Sequence, residues 1–268
     1  MHVHVYQFTC LTNLHVGSGE INYNVVDNEV ECDPTNGLPM IHASGVKGAI
    51  REHFAEQQMN EAQITRIFGA PPRQKEAITA GSYRFMDAGF LCRPMRVANS
   101  AAMASINVVS FDSLNRFLEL LNAFRVNPFD ISRIDADPSV FGDAQFLTNY
   151  TQESIRVEDE NTKAMPSALA EQIGKLSSVI GNHFALVRSF DNYPLPVLAR
   201  NQLVKGESKN LWYEQVVPHG SVFYELILTP DAGMDLPLEE HIIQFGGNAT
   251  IGCGFVQIAK LTETGVAK

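Results

Sequence analysis

Apolar residues recur at helical spacing in three segments of the chain. Val46, Ile50 and Phe54 follow Ser44 at every fourth position, which predicts a helix over 45–59 with Ser44 as its N-cap. A second helix is predicted after Asp112 as its cap, and a third follows Pro166. Their apolar stripes are Leu114, Phe117, Leu118, Leu121 and Phe124, and Leu169, Ile173, Leu176 and Ile180. We predict that these stripes form a hydrophobic core.

Runs of β-branched and aromatic residues predict strands between the helices, at 3–11, 82–92, 183–190, 221–228 and 255–261. Glycine and proline break the chain at 69–72, and a short helix is predicted over 238–245. Two strand-like arms flank a polar tip at 205–209, so a protruding β-hairpin is predicted over 191–218. The segment 128–165 is rich in Asp, Glu, Pro and Asn, which predicts an irregular exposed segment. With the helix after it, this segment forms a predicted insertion over 128–182, and the fold class is α+β.

Composition narrows the class of protein. The chain has 268 residues, of which 45% are hydrophobic and 19% charged, as expected for one globular domain over 1–268 with insertions. No apolar run approaches the roughly 18–20 residues that span a bilayer, so we expect a cytoplasmic protein without a membrane partner. The four cysteines are widely separated and contain no close pair, which argues against a zinc cluster or a disulfide framework.

The net charge of -10 argues against broad, nonspecific binding of nucleic acid. Between Lys47 and Arg96, however, eight basic residues outnumber five acidic ones, so any anion-binding surface is local. Lys47 and Arg51 share a stripe in the first turns of the predicted helix, where the helix dipole favours anions. This position suggests a phosphate partner, although pairing with Glu52, Glu56 or the acidic segment 27–33 explains it equally well.

Two further segments have alternative interpretations. The glycine-rich segment 246–254 either offers backbone amides to a phosphate or lets two chain segments pass closely. It lacks the Lys-Ser/Thr pair of a nucleotide-hydrolysing loop, which argues against nucleotide hydrolysis. In the hairpin, Leu203 and Val204 lie beside cations, a combination that grips single-stranded nucleic acid, but a solvated hairpin has the same composition.

Five landmarks, taken together and in order, resemble the RAMP superfamily of CRISPR-associated proteins. They are His15 with Gly17 and Gly19, then Asp27, the helix start from Ser44 to Arg51, Arg200-Asn201 before Trp212 and Glu214, and the last glycines. The resemblance is strongest to the repeated backbone subunit of type III-B (Cmr-type) effector complexes. It implies an RRM-like (ferredoxin-like) core with an inserted helical region and a β-hairpin "thumb". It also implies copies that stack into a helical filament along a guide RNA.

The resemblance further implies that the chain cleaves bound target RNA with a divalent metal ion, Mg²⁺ or Mn²⁺. By position Asp27 is the catalytic residue and the metal ligand, and His15 is a candidate acid or base or a structural hydrogen-bonding residue. Spacing alone leaves Asp27 level with Glu29, Glu31 and Asp33, which share its face in an extended segment. The implied partners are guide CRISPR RNA, target RNA, copies of the chain and other subunits of the complex. The candidate RNA-binding residues are Ser44, Lys47, Arg51, Arg200, Asn201, Lys205, Lys209, Trp212, Gly246, Gly247, Gly252 and Gly254.

Two departures from the family pattern affect the expected guide contacts. Ile41-His42-Ala43 stands where the family usually has Pro-Gly or Pro-Ala before the serine, and Cys253 replaces a basic residue often found in the last glycine loop. Three other functions remain open: a catalytically silent RNA-binding scaffold, the equivalent subunit of a type III-A complex, and a glycine-loop protein that binds a metabolite.

Overall fold

The computed structural model of this chain describes residues 1–19, 25–70, 79–230 and 236–265, with side chains described as far as Leu261. The proline break predicted at 71–72, the adjoining part of the basic segment and Tyr23-Asn24 lie outside the described residues. The strands are β1 His2–Cys10, β2 Met40–Ile41, β3 Gly69–Ala70, β4 Thr79–Ala80, β5 Arg84–Phe85, β6 Ala88–Arg96, β7 Ser105–Ser110, β8 Phe146–Thr148, β9 Arg156–Val157, β10 Glu160–Ala164, β11 Phe184–Val187, β12 Val197–Val204, β13 Glu207–Gln215, β14 Val222–Thr229, β15 Ile242–Gln244 and β16 Phe255–Gly265. The helices are α1 Ala43–Glu56, α2 Glu61–Phe68, α3 Phe111–Ala123, α4 Ser167–Gly174 and α5 Ser177–Ile180, with 3₁₀ turns at Pro138–Phe141 and Ala249–Ile251.

One large sheet organises the molecule, in the strand order β15-β16-β1-β14-β6-β7-β11-β8-β10-β9. Its four central strands, β16-β1-β14-β6, are antiparallel neighbours and have the 4-1-3-2 order of a ferredoxin-like sheet. The predicted α+β class is therefore confirmed. β1 lies between two partners and is buried on both faces, with Val3 and Val5 in one core and Tyr6 and Phe8 in another.

The helix α1 buries Val46, Ile50 and Phe54 as predicted, but it begins at Ala43 and ends at Glu56. His42 is the N-cap residue, and the N–H of Ala43 donates to Asp87 Oδ1 at 2.7 Å. The prediction of Ser44 as the cap is therefore wrong, because a carboxylate 44 positions away satisfies the first helical amide. Ser44 itself is exposed in the first turn.

The second predicted helix has a similar correction. Its stripe of Leu114, Phe117, Leu118 and Leu121 is buried, but the cap is Ser110 and not Asp112. Ser110 and Ser113 each accept a backbone N–H from the other residue and form a capping box. Asp112 lies inside the first turn of the helix, where its charge faces the positive end of the dipole.

The acidic segment 128–165 is not the irregular, exposed segment that its composition predicts. It contributes β8, β9 and β10 to the large sheet, and Val157 of β9 pairs back with Val97 beyond the end of β6. The strands thereby curl around a third core that includes Met95, Val108 and Phe146. A few buried apolar side chains, including Phe141, Phe146 and Ile155, outweigh the polar majority of the segment.

Two other boundaries differ from prediction. β6 does not end at Cys92 but continues through Arg93-Pro94 to Arg96. Pro94 pairs with Asn107 of β7, and the register between the two strands does not shift there. The helix predicted over 238–245 is wrong: residues 242–244 form the edge strand β15, which pairs with β16. In the part of the chain that the structure describes, no helix is long and apolar enough to cross a bilayer.

Glu225 on β14 is completely buried and offers a test of stability against pH. Oε1 accepts the N–H of Met86 at 3.0 Å, whereas Oε2 has no hydrogen-bond partner. Desolvation, above all, raises the pKa of Glu225 well above its ordinary value, and Asp87 adds to this effect. The folded state therefore holds a proton that the unfolded state releases above its ordinary pKa, so stability is fully present at acid pH and falls as the pH rises toward the folded pKa.

We expect Glu225→Gln to raise the thermal midpoint at pH 8 and to change it much less at pH 5. Each pH unit between the unfolded and the folded pKa costs about 1.4 kcal/mol, and glutamine mimics the protonated acid without that cost. Thermal unfolding of both proteins across this range gives the comparison, with exposed Glu171→Gln as the control. An equal effect of Glu225→Gln at both pH values would contradict the assignment.

Candidate functional site

Three segments that are remote in the sequence meet at the root of the hairpin β12–β13. Leu14 pairs with Val217, Gly17 with Val30, and Asn28 with Glu214 through isolated β-bridges. The first pairing is reciprocal, with N···O distances of 2.9 and 2.8 Å between Leu14 and Val217. The loop after β1, the segment 27–33 and the end of β13 therefore form one irregular sheet.

Asp27 is fixed to this sheet and remains exposed. Its backbone N–H donates to the carbonyl of Tyr213 at 3.0 Å, and its Oδ2 accepts the N–H of Tyr213 at 2.7 Å. Oδ1 has no hydrogen-bond partner among the described residues. Asp27 thus presents one free carboxylate oxygen to solvent from a position that β13 fixes.

His15 lies beneath the same surface, with only 8% of the residue exposed. Its Nδ1 is 2.7 Å from the carbonyl oxygen of Gln215, which can only accept, so Nδ1 carries a proton. In the neutral ring Nε2 is then the unprotonated nitrogen, and it lies 3.7 Å from Glu214 Oε1. His15 is therefore held in the tautomer whose Nε2 can accept a proton, and this nitrogen faces the Glu214 carboxylate.

Glu214 joins His15 to two other segments, although it is 4% exposed. Its Oε1 accepts from Asn248 Nδ2 at 2.6 Å, and its Oε2 accepts from Arg200 Nε at 3.0 Å. Arg200 continues to Cys253, with Nη2 3.7 Å from the sulfur. One buried carboxylate thus ties the hairpin, the loop after β1 and the glycine-rich segment together.

The charge of Arg200 is stabilised by this arrangement. Desolvation acts to lower the pKa of Arg200, but the hydrogen bonds to Glu214 and Cys253 and the carboxylate charge outweigh it and raise the pKa. Asn248 was not a predicted site residue, and Glu214 was a landmark of the resemblance whose part in catalysis the sequence left open. Strand alternation places Glu214 on one face with Trp212, but nothing in the sequence indicates that this glutamate is buried.

The glycine-rich segment is shaped by close contacts with the protein's own backbone. A Cβ atom on Gly246 would clash with the carbonyl of His15, and one on Gly254 would clash with the carbonyl of Phe245. The N–H of Gly247 donates to His15 O at 2.8 Å, so this segment holds the backbone of the histidine. Gly252 is different: its φ is +83°, but a Cβ atom there would meet nothing within 4 Å, so its surroundings are open.

The predicted hairpin is present, with a turn at Lys205-Gly206, and its two faces separate the predicted RNA-binding residues. Arg200 pairs with Trp212 on the face that carries Glu214. Asn201 pairs with Leu211 on the opposite face, beside exposed Tyr213. Lys209 forms an exposed ion pair with Glu207 at 2.7 Å, which contributes little to stability.

Lys47 and Arg51 lie together in a wide groove beside α1. The opposite wall is formed by Phe68, Gly69 and Ala70 and by 79–81. In the described part of the chain, neither cation forms an ion pair with a carboxylate. The sequence allows phosphate binding or pairing with Glu52, Glu56 or residues 27–33, and no such ion pair is present among the described residues.

The other carboxylates of the acidic segment have partners of their own. Glu31 Oε1 lies 3.2 Å from His42 Nε2, and Asp33 Oδ1 accepts from both the N–H and the hydroxyl of Thr35. Desolvation acts to raise the pKa of Asp33, but the hydrogen bonds from Thr35 outweigh it and lower the pKa. Asp27 therefore differs from both residues, because it pairs with the hairpin.

Comparison with known proteins agrees with this architecture. A family model described as the RAMP superfamily matches residues 7–257. The chain is 29% identical to the CRISPR system Cmr endoribonuclease Cmr4 of Pyrococcus furiosus, over 92% of each protein. Its fold is similar to a chain of the type III-B Cmr-beta complex bound to cognate target RNA, with TM-score 0.72, 18% identity and 96% of each chain covered. It is also similar to oligomeric Cmr4 from Pyrococcus furiosus, with TM-score 0.70, 20% identity and coverage of 98% of this chain and 99% of that one.

Proposed function

This chain belongs to the RAMP superfamily, and on that premise we propose that it is the guide-RNA-binding backbone subunit of a type III-B CRISPR effector complex. In this proposal multiple copies form a helical filament and each copy cleaves complementary target RNA. The observation that carries the proposal is that the segments carrying Asp27, His15 and Glu214 converge at the hairpin root, in a chain similar over 92% of its length to an endoribonuclease. The Cmr relatives favour this assignment over the type III-A equivalent.

Cleavage of RNA requires a nucleophile, either the adjacent 2'-hydroxyl or water, and stabilisation of negative charge at phosphorus. In our proposal Asp27 acts at the phosphate from the exposed surface. His15 accepts at Nε2, which faces Glu214, the proton of the attacking hydroxyl, and water supplies the proton that the departing 5'-oxygen takes up. Because few groups take part, alignment of the RNA backbone by the hairpin contributes much of the rate.

A divalent metal ion fits Asp27 only if water and substrate phosphates supply its other ligands. The described residues contain no group of three or more His, Cys, Asp or Glu side chains that could hold a metal ion. Mg²⁺, however, is often held by one or two carboxylates together with water and substrate phosphates, and the free Oδ1 of Asp27 can supply one such ligand. When bound there, the ion would neutralise charge on the phosphate.

In the proposed complex the guide RNA lies along the groove of Lys47 and Arg51, and Ser44 in the first turn of α1 also contacts it. Gly252 in the glycine-rich segment is open to a phosphate. Arg200, Asn201, Lys205, Lys209 and Trp212 then contact RNA from the hairpin. This assignment explains two cations near the start of α1 that have no carboxylate partner in the described structure.

We expect the double substitution Lys47→Ala/Arg51→Ala to weaken guide binding at every guide sequence. Loss of two phosphate contacts should reduce the magnitude of the slope of log K against log salt by about 1.4, since each contact on a single strand contributes about 0.7. Filter binding of labelled guide RNA between 50 and 300 mM salt measures this slope. Arg125→Ala is the matched control, since Arg125 is an exposed cation just beyond α3. An unchanged slope in the double variant would place the guide elsewhere.

Purification of the chain with its neighbouring subunits, followed by nuclease treatment, tests the proposal as a whole. A protected RNA of defined length and cleavage of a complementary labelled RNA are the expected results, with cleavage lost in EDTA and restored by Mg²⁺ or Mn²⁺. Protected RNA without cleavage would identify a silent scaffold. A monodisperse monomer without nucleic acid would instead support a metabolite-binding protein.

A further inference from the structure

Arg93 on β6 is a buried cation that the proposed chemistry does not use. Only 5% of the residue is exposed, and among the described residues no carboxylate lies within ion-pair distance of it. Desolvation lowers the pKa of Arg93 to about 10, although the charge of Glu158 acts in the opposite direction, and its Nε has no hydrogen-bond partner. A buried arginine that forms no ion pair is costly, so its hydrogen bonds indicate which segment it holds.

The side-chain hydrogen bonds and the ring contact of Arg93 are to one short linker. Nη1 donates to the carbonyl of Pro194 at 3.3 Å, Nη2 donates to the carbonyl of Tyr193, and the guanidinium lies 5.1 Å from the centre of the Phe190 ring. This linker connects β11 to β12, the first strand of the hairpin. In the described structure neither carbonyl has another hydrogen-bond donor.

Packing alone leaves the backbone of this linker only partly supported. A cavity of about 200 Å³ lies on the side of Phe90 and Leu38, and another of about 350 Å³ lies on the side of Met95 and Pro218. Arg93, Tyr193 and Pro194 line both cavities. Much of the linker is exposed, with Phe190 and Leu195 packed against the core, and the forked hydrogen bonds of Arg93 add a polar constraint on the two carbonyls that lie between them.

The linker is connected directly to the candidate site. Pro196 accepts the N–H of Val216 at 2.9 Å, and Val197 pairs with Gln215, the residue whose carbonyl holds His15. Asp27 is joined to the next residues of the same strand through Tyr213. A shift of the linker would therefore move the hairpin, Asp27 and Glu214 relative to bound RNA.

We propose that Arg93 is a positioning residue for target cleavage, which holds the linker 190–196 and thereby sets the placement of the hairpin over the RNA. This inference rests on the proposed function. It assigns no contact between Arg93 and RNA. Its signature is loss of cleavage rate and of cut-site accuracy, with retention of the guide.

The test uses the assembled complex with Arg93→Met, which removes both hydrogen bonds, and Arg93→Lys, which keeps the charge and one donor group. We expect Arg93→Met to lower single-turnover cleavage at saturating target by about 10- to 100-fold, as for an active site displaced by about 1 Å. Its cut positions should spread to neighbouring nucleotides, whereas guide protection is unchanged. Arg93→Lys should recover part of both the rate and the accuracy.

Arg188→Met is the matched control. Arg188 also combines a carbonyl hydrogen bond, to Gly142 at 3.2 Å, with a ring contact, at 4.9 Å from Phe141, but both partners belong to the inserted region and not to the hairpin linker. We expect it to cut at wild-type positions. Wild-type rate and cut positions in Arg93→Met would overturn the inference. It would also be overturned if the cleavage rates of Arg93→Met and Arg93→Lys fall only in proportion to their thermal midpoints. A wild-type complex that binds guide without cleaving would instead overturn the proposed function and this inference together.

Discussion

Replacing Asp27 with alanine is expected to lower target cleavage by about 100-fold or more while guide binding and assembly remain intact. The free Oδ1 is the exposed oxygen at the hairpin root, so its loss removes the group that acts at the phosphate. The structural cost is small, because the N–H of Asp27 still donates to Tyr213 O and only one side-chain hydrogen bond, worth about 0.5–1.5 kcal/mol, is lost. Single-turnover cleavage of labelled target by the assembled complex measures the effect.

Asp27→Asn separates the catalytic role from the structural one. The asparagine oxygen can still accept the N–H of Tyr213, but the negative charge is removed. We expect this variant to keep wild-type stability and to cleave as poorly as Asp27→Ala. Asp33→Asn is the control, since Asp33 bonds only within its own turn to Thr35. Cleavage that persists in both Asp27 variants would remove this residue from the mechanism.

The sequence could not select Asp27 without the family resemblance. Asp27, Glu29, Glu31 and Asp33 share one face in an extended segment, and spacing ranks none of them above the others. The distinguishing feature is a pairing with Tyr213, 186 positions away, which no local pattern encodes. Glu214 was a landmark of the resemblance, but its role stayed open for a related reason, because its burial arises from contacts with His15, Arg200 and Asn248 that are remote in the sequence.

Elements with strong local periodicity were predictable, whereas those decided by tertiary contacts were not. The stripes of α1 and α3 follow the helical repeat closely, so burial of one face is fixed by spacing, whereas the third predicted helix is broken after Gly174 into α4 and α5, although its four apolar residues are buried. In contrast, residues 242–244 become a strand because β16 offers an unpaired edge, and apolar spacing could not reveal that edge. Composition likewise misled over 128–165, where a few buried side chains determine the structure.

Replacing Glu214 with alanine is expected to damage both stability and cleavage. Arg200 would lose its carboxylate and Asn248 its acceptor, which should lower the free energy of unfolding by about 1–3 kcal/mol, since the guanidinium is only partly buried. His15 would lose the neighbour that stabilises its protonated form, so cleavage should fall by about 10- to 100-fold. Urea unfolding and single-turnover cleavage measure the two effects, with Glu207→Ala of the exposed pair with Lys209 as the control.

A double substitution tells apart the two causes of that loss. Arg200→Met in the Glu214→Ala background removes the unpaired guanidinium, so we expect it to recover stability through a coupling of about 0.5–3 kcal/mol. If Glu214 acts on His15, the double variant should cleave more slowly than the Arg200→Met single variant even when stability returns, because the imidazolium still lacks its carboxylate. Cleavage at the rate of the Arg200→Met single variant would show that Glu214 only holds the hairpin to the glycine-rich segment. In that case Glu214 would affect cleavage only through the placement of the hairpin over the RNA. Arg93 is proposed to control the same placement.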